Sequence, residues 1–188
     1  RAILEQPLID QSGLLETARD YSTSSDATRN PDAMLTSLTV VLENPDRGLG
    51  TFQVLTQIIQ SIGQQETDLS FRMLDQTIES YKQIEDKELS TELVTSLQEL
   101  NDEILFAKFK IEDTFRFYIQ VQTKQGKEDI ISAVTSLLEH ERTSPAAFEL
   151  MGQETAQIAE RYPDLVRDLL QVILKSSQEK LSPEQQKE

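Results

Sequence analysis

Carboxylates are the side chains in this sequence with the most potential for chemistry, and several of them occur at helical spacing. Glu99 and Glu103 are four residues apart and so share one face of a helix, with Asp102 beside them. Such a pair could supply half of a divalent-cation site. Oxygen-rich cation sites usually also need a loop that bends around the ion, and no such loop follows here. A solvated helix face is therefore the expectation.

The single histidine limits the chemistry further. His140 lies between Glu139 and Glu141 at the end of a predicted helix, where a favourable contact with the helix dipole is expected. A di-iron carboxylate site needs Glu-x-x-His on two helices, which one histidine cannot supply. With no cysteine, thiolate zinc sites and cysteine nucleophiles are excluded. We predict a non-enzymatic protein with no catalytic residue, cofactor or metal; a carboxylate-based metal-binding or enzymatic bundle is the alternative.

An aromatic cluster with interleaved cations is the best candidate for a specific role. Five of the eleven aromatic residues fall between positions 106 and 118. They could fill two helical cores, or Phe109 and Phe117 could line an exposed groove that accepts the apolar face of a partner helix. In the second case, nearby Lys and Arg side chains would meet acids on the partner. The candidate partner-binding residues are Phe106, Phe109, Lys110, Arg116 and Phe117.

These residues lie on a stretch, 90–122, that the sequence predicts as one long helix. Neither Gly nor Pro occurs between Gly63 and Gly126, so nothing in the sequence interrupts the helix. We expect Gly126 to end it. Two apolar series repeat every seven residues and interleave as a heptad seam, which could also support self-association. The series are Leu93, Leu100, Ala107, Thr114 and Val121, and Leu97, Ile104, Ile111 and Tyr118. A helix of this length spans roughly 50 Å.

The rest of the chain is predicted to be helical as well, so the expected fold class is all-α. Two similar three-helix units, 30–89 and 127–176, would flank the long helix in an elongated bundle. Asn30-Pro31-Asp32 and Ser144-Pro145 each combine an N-cap residue with a proline at the first helical position. An N-terminal helix and polar loop (1–29) precede the first unit, and a disordered tail (177–188) follows the second.

The two units resemble each other in sequence. A shift of 96 positions places 33–80 on 129–176 without a gap and produces ten identities, among them Phe52 on Phe148 and Leu74 on Leu170. The predicted helix starts coincide too. This pattern favours an internal repeat, although two amphipathic blocks could also agree through patterning alone. Elongated helical repeats present surfaces to partners more often than they enclose active sites.

The composition excludes several classes of partner. The chain has 33 acidic and 18 basic side chains, so its formal charge is -15. This excess of negative charge disfavours binding to nucleic acid or to an anionic membrane. No apolar run reaches the 18 or so residues of a membrane-spanning helix, and no signal peptide is visible. The chain begins with Arg1, so we expect a fragment of a longer protein, of cytoplasmic origin.

One segment resembles a known family. Pro31-Asp32-Ala33-Met34-Leu35, Leu42-Glu43-Asn44-Pro45-Asp46-Arg47 and Phe52-Gln53-Val54-Leu55 are similar to the first folded domain of the type III secretion gatekeepers. The resemblance covers 30–106 and implies helical bundles linked by a long helix. It also implies a cytoplasmic regulator that binds chaperones and export-apparatus proteins and orders substrate release. The residues alone predict a protein-interaction module, an adaptor or regulatory scaffold, and the gatekeeper role is a more specific alternative.

Overall fold

The computed structural model describes residues 11–25, 27–44 and 48–181, and every regular element within them is an α-helix. The predicted all-α fold class is therefore confirmed. The nine helices of this part of the chain are α1 (Gln11–Thr23), α2 (Pro31–Glu43), α3 (Leu49–Gly63), α4 (Thr67–Tyr81), α5 (Lys87–Lys108), α6 (Ile111–Val121), α7 (Lys124–Glu139), α8 (Pro145–Gln157) and α9 (Pro163–Lys180).

Two of the predicted helix starts carry the side-chain caps that the sequence indicated. The Asn30 side chain accepts a hydrogen bond from the amide of Ala33, and Pro31 opens α2. The Ser144 hydroxyl accepts from the amide of Ala147 in the same way, and Pro145 opens α8. Each cap satisfies one of the amides that a helix N-terminus leaves without a partner, which fixes where the helix begins.

The chain forms two compact units, the first up to Ile104 and the second from Leu105 onward. In the first unit, α1 packs against α2 and α3, and α4 packs against the same two helices. The first 18 residues of α5 complete this unit. Its fully buried apolar side chains include Met34, Leu38, Leu55, Ile59, Ile62, Met73, Leu74 and Leu97. This unit is larger than the predicted three-helix segment 30–89, because α1 and part of α5 belong to it.

The second unit is built from α6 to α9. Helix α6 packs along α7, and both α7 and α8 pack against α9. The core is again apolar, with Ile130, Val134, Leu137, Leu138, Met151 and Leu169 fully buried. As in the first unit, each helix buries one stripe and leaves the opposite face to solvent.

The predicted uninterrupted helix over 90–122 is wrong. Helix α5 ends at Lys108 and α6 begins at Ile111, because Lys110 adopts a left-handed backbone conformation (φ 52°). The heptad seam is interrupted there as well. Two of its members, Ala107 and Val121, are exposed. On α6 the inward-facing residues are the buried Ile111 and the half-buried Phe115 and Tyr118. The left-handed conformation is unfavourable for lysine by about 1–2 kcal/mol, which the packing of α6 on α7 offsets.

The end of α6 also differs from the prediction. Gln122, again left-handed, ends the helix, and Gly126 lies in the first turn of α7. The Thr123 hydroxyl caps α7 by accepting from the Gly126 amide. A Cβ at position 126 would lie 3.2 Å from the Thr123 hydroxyl and at ordinary contact distance, 3.5–3.6 Å, from the rings of Tyr118 and Phe117, so Gly126 lies next to both rings. At the other end of the unit, α9 continues to Lys180, so residues 177–180 are helical; positions 182–188 of the predicted tail lie outside the described residues.

Helix positions agree with the 96-residue shift. Helices α3 and α8 begin at 49 and 145, and helices α4 and α9 begin at 67 and 163, while α2 and α7 end at 43 and 139. Equivalent core positions are buried in both units, for example Phe52 and Phe148 or Leu69 and Leu165. The two blocks therefore share helix spacing as well as sequence pattern.

The repeat extends to a fourth helix that the sequence comparison missed. Helix α6 packs on α7 as α1 packs on α2, and a shift of 97 rather than 96 aligns them. This shift places Thr17 on Thr114, Arg19 on Arg116 and Tyr21 on Tyr118. The two tyrosines contact equivalent positions. Tyr21 donates a hydrogen bond to the Glu66 carboxylate, and Tyr118 forms an edge-to-face pair with Tyr162. The 96-residue shift places Glu66 on Tyr162. Each unit thus begins with a helix anchored by a tyrosine.

Candidate interaction surface

The structure does not bring Phe109 and Phe117 into one groove. Phe109 packs against His140 at the C-terminus of α7, with ring centres 5.6 Å apart. Phe117 lies beside Gly126 at the N-terminus of the same helix. Because 14 residues of helix separate these two positions, the two phenylalanines contact points about 21 Å apart. The predicted single groove through both rings does not form; the break at Lys110 sends them to opposite ends of α7.

The remaining predicted binding residues are dispersed as well. Phe106 is half-buried on α5, and Lys110 is exposed in the turn that follows. The exposed Arg116 lies 3.7 Å from the carboxylates of both Glu112 and Asp113 on its own helix. Such exposed pairs contribute little to stability and leave the guanidinium available to another acid. Of the predicted set, Phe117 is the large apolar side chain that solvent reaches best.

Phe117 and Val121 form an exposed apolar edge on α6. Each is 49% exposed, and their spacing of four residues places them on the same side of the helix. One edge of the Phe117 ring lies close to Gly126, and about half of the side chain is open to solvent. Ile119, on the opposite side of α6, is exposed too. We call Phe117 and Val121 the α6 edge.

Comparison of the two units shows that the fold does not require apolar residues on the α6 edge. With α6 aligned on α1, Phe117 corresponds to Asp20 and Val121 corresponds to Ser24. The first unit therefore carries a polar side chain on α1 at the first of these positions and another, Ser24, directly after the helix ends at Thr23. Solvent-facing positions normally hold polar residues, and apolar side chains gathered there mark a surface used for binding more often than a structural need.

Charged residues surround the α6 edge without covering it. Lys124 lies 3.5 Å from Glu128 at the start of α7. Lys127 bonds to Asp168 at 2.7 Å and donates to the carbonyl of Asp164, which ties α7 to the start of α9. The hydrogen bond and charge of Lys127 lower the pKa of Asp168. A small apolar centre with a charged rim is the usual composition of a non-obligate protein interface.

His140 occupies a structural position rather than a catalytic one. It is the C-cap residue of α7, and its Nδ1 accepts a hydrogen bond from the Arg142 amide at 3.3 Å. Its own carbonyl accepts from Lys180. Partial burial lowers the pKa of His140, and the nearby charge of Lys108 adds to this effect. The neutral imidazole is therefore the form that packs against Phe109.

This lowered pKa predicts a loss of stability in acid. The unfolded chain binds a proton at His140 near pH 6.5, whereas the folded chain binds it only at lower pH, so the unfolded state holds more protons between the two values. The free energy of unfolding of the wild type should therefore fall relative to that of His140→Gln as the pH is lowered from about 7.5 to about 5.5. Urea titrations of both proteins across this range measure the difference, in which shared carboxylate effects cancel. Parallel curves would contradict the prediction.

Other features of the described residues are less distinctive. An open cleft of about 340 Å³ lies between α1 and α3, lined mainly by Leu15, Ala18, Arg19, Gln57 and Ile58. Within the described ranges, no three acidic or histidine side chains gather closely enough to hold a metal ion. No helix in this part of the chain is both long and apolar enough to cross a membrane.

Searches among family models, curated proteins and solved structures found no match to this chain. The resemblance to the type III secretion gatekeepers therefore gains no support from relatives and stays a prediction.

Proposed function

We propose that this chain is a non-enzymatic protein-interaction module whose second unit binds a partner protein through the α6 edge. The observation that carries this proposal is the exposure of Phe117 and Val121 at positions where the first unit has the polar residues Asp20, on α1, and Ser24, directly after it. Two large side chains in water are unfavourable for the isolated chain, since each fully buried residue of this type contributes about 1.5–3 kcal/mol. A partner that covers them recovers this free energy.

The charge of the surface adds to the argument. The aromatic ring of Phe117 has few rotatable bonds and therefore loses little conformational entropy when a partner covers it. Arg116, Lys124 and Lys127 lie on or near the same helices in a chain that is otherwise strongly acidic. A partner surface with an apolar centre and a few flanking acids suits this arrangement. The proposed role is that of an adaptor or regulatory scaffold.

The repeat itself supplies the variant that tests the proposal. Phe117→Asp/Val121→Ser replaces the α6 edge with the residues that the first unit has at the equivalent positions, and because both positions are exposed the helix is expected to fold normally. Leu150→Ser, which removes an exposed leucine from α8, is the matched control. Each protein would be immobilised and exposed to lysate of the source organism, and the retained proteins would be quantified by mass spectrometry. Far-UV circular dichroism would verify the helicity of each variant.

The expected result is at least one protein retained by the wild type and by Leu150→Ser, and reduced about tenfold or more by Phe117→Asp/Val121→Ser. Loss of two buried apolar anchors corresponds to at least this factor. Equal retention by all three proteins would remove the α6 edge from the proposal. A catalytic turnover traced to the chain would contradict its non-enzymatic part.

A further inference from the structure

Helix α1 of the first unit is held at both ends beside α3. Near its start, the side-chain amide of Gln11 donates to the Thr51 hydroxyl at 2.6 Å, and both residues are buried. Near its end, the buried Tyr21 donates to the carboxylate of Glu66, which follows α3 in the chain. These two contacts set the spacing of the helices, so a small side chain between them leaves a gap that the helices cannot close.

The cleft of about 340 Å³ between α1 and α3 lies in this stretch, and we call it the α1–α3 cleft. Its deepest residues are apolar: Ile58 and Ile62 of α3 are buried, and the half-buried Ala18 lines the cleft from α1. Leu15, another lining residue, is 45% exposed. The side chain of Ala18 ends at its Cβ, so an apolar surface on both helices stays open to solvent.

The second unit has a phenylalanine at the position of Ala18. The shift of 97 that aligns α6 with α1 places Ala18 on Phe115 and Leu15 on Glu112. Phe115 is half-buried on the inward side of α6, as Ala18 is on α1. This helix of the fold therefore accommodates a phenyl ring on its inner side. The second unit supplies that ring from its own chain, and the first unit does not.

A cation at the α1–α3 cleft lacks an acid that its counterpart has. Arg19 lines the cleft and is exposed, and no carboxylate of the described residues pairs with it. The equivalent Arg116 lies 3.7 Å from the carboxylates of both Glu112 and Asp113. Leu15 replaces Glu112 in the first unit. The guanidinium of Arg19 is therefore available to a carboxylate from outside the unit.

From these observations we propose that the α1–α3 cleft binds a phenylalanine side chain of a partner protein, flanked by a carboxylate that pairs with Arg19. The phenyl ring occupies the space that Ala18 leaves beside Ile58, and burial of its apolar surface supplies most of the affinity. The ion pair fixes the orientation of the partner segment. This site lies in the first unit and does not depend on the α6 edge.

The overall charge limits the partner further. The chain carries a formal charge of -15, and Glu16 and Asp20 lie on α1 close to Arg19 in sequence. A partner segment with a run of acids would be repelled by this field. A single carboxylate beside the phenylalanine therefore suits the α1–α3 cleft, with uncharged residues around it.

A short peptide that carries only these two groups tests the proposal. The probe is acetyl-Gly-Glu-Phe-Gly-amide, and its binding to the isotope-labelled full chain would be followed by NMR of the backbone amides. Saturable shifts at Leu15, Ala18 and Ile58 are expected at millimolar peptide, the range for one buried side chain and one exposed ion pair. Alanine in place of the phenylalanine should weaken binding about tenfold or more, and lysine in place of the glutamate should weaken it severalfold.

The repeat supplies the protein variants. Ala18→Phe installs the residue of the second unit and should fill the cleft, so that peptide binding is lost while the unfolding temperature stays at or above that of the wild type. Leu15→Glu places an acid four residues before Arg19, as in the second unit, and should weaken binding severalfold by competing for the guanidinium. Gln53→Phe adds the same ring at an exposed position of α3 outside the cleft and should bind as the wild type does.

Several results would overturn the proposal. Absence of saturable shifts in the wild type would do so, as would unchanged binding by Leu15→Glu, or a large fall in the unfolding temperature of Ala18→Phe, which would show that the cleft has no room for the ring. Shifts confined to α6 would assign the peptide to the α6 edge, leaving the proposed function intact and removing the cleft.

Two further measurements distinguish other occupants of the cleft. Tighter binding of hydrocinnamate than of the peptide would assign the cleft to a free aromatic acid. A wild-type dimer in sedimentation experiments that dissociates in Ala18→Phe would assign it to a second copy of the chain. Either result would overturn the partner segment, whereas a monomer that prefers the peptide supports it.

Discussion

Replacing Leu97 with alanine is expected to lower the free energy of unfolding by about 2–5 kcal/mol. Leu97 is completely buried at the centre of α5, the helix whose Ser90 hydroxyl donates to the carbonyl of Tyr81 at the end of α4. Truncation removes apolar contacts from both helices and leaves a cavity that rigid neighbours cannot fill. Few single changes in the first unit have a larger expected effect, because Leu97 is fully buried.

Amide hydrogen exchange and urea unfolding would measure this loss, with exchange reporting on α4 and α5 separately from the rest of the chain. Gln98→Ala is the matched control, since Gln98 is the next residue on α5 and is exposed. The control should change stability by no more than about 0.5 kcal/mol. A loss of less than about 1 kcal/mol for Leu97→Ala would show that α5 is not firmly held against α4 in solution.

The largest expected effect in the second unit is that of Val134→Asp. Val134 is fully buried on α7, within a row that includes Ile130 and Leu137. A carboxylate there would have no cation to pair with among its buried apolar neighbours, and the effective penalty for such a charge is several kcal/mol. Since domains are stable by only about 5–15 kcal/mol, this change is expected to unfold α7 and the helices packed on it.

Ser132→Asp provides the comparison for this variant, because it adds the same charge to an exposed position two residues earlier on α7. Hydrogen exchange is expected to lose protection across α7, α8 and α9 in Val134→Asp and to retain it in Ser132→Asp. Retained protection in Val134→Asp would mean that the α7 core admits water or rearranges around the carboxylate.

Helix periodicity and caps predicted much of this fold. Asn30 and Ser144 mark the starts of their helices for a physical reason. A short polar side chain can accept a hydrogen bond from a free amide of the first turn, and the proline that follows has no amide hydrogen to leave unpaired. The break at Lys110 could not be predicted, because no glycine or proline accompanies it and a lysine in the left-handed conformation is held there by tertiary packing. That one residue explains why the predicted long helix and the predicted Phe109–Phe117 groove were both wrong.

The interaction surfaces were less predictable than the helices. Exposure of Phe117 follows from its place outside the heptad seam, but its partner Val121 belongs to the seam and was expected to be buried. Leu170 has the periodicity of a core residue and is nevertheless 42% exposed. Periodicity reports that a face is apolar; only the packing of neighbouring helices decides whether it is covered.

The packing of sequence-adjacent helices has a consequence for how the chain folds as it is made. Within each unit the principal contacts join helices that are consecutive or nearly so, such as α1 with α2 and α3 with α4. Such local topology gives a low contact order, for which folding takes microseconds to milliseconds. A ribosome adding about 5–20 residues per second needs about 4–17 s to make the 84 residues that follow Ile104. The first unit therefore has time to fold during translation, before the helices of the second unit have been made.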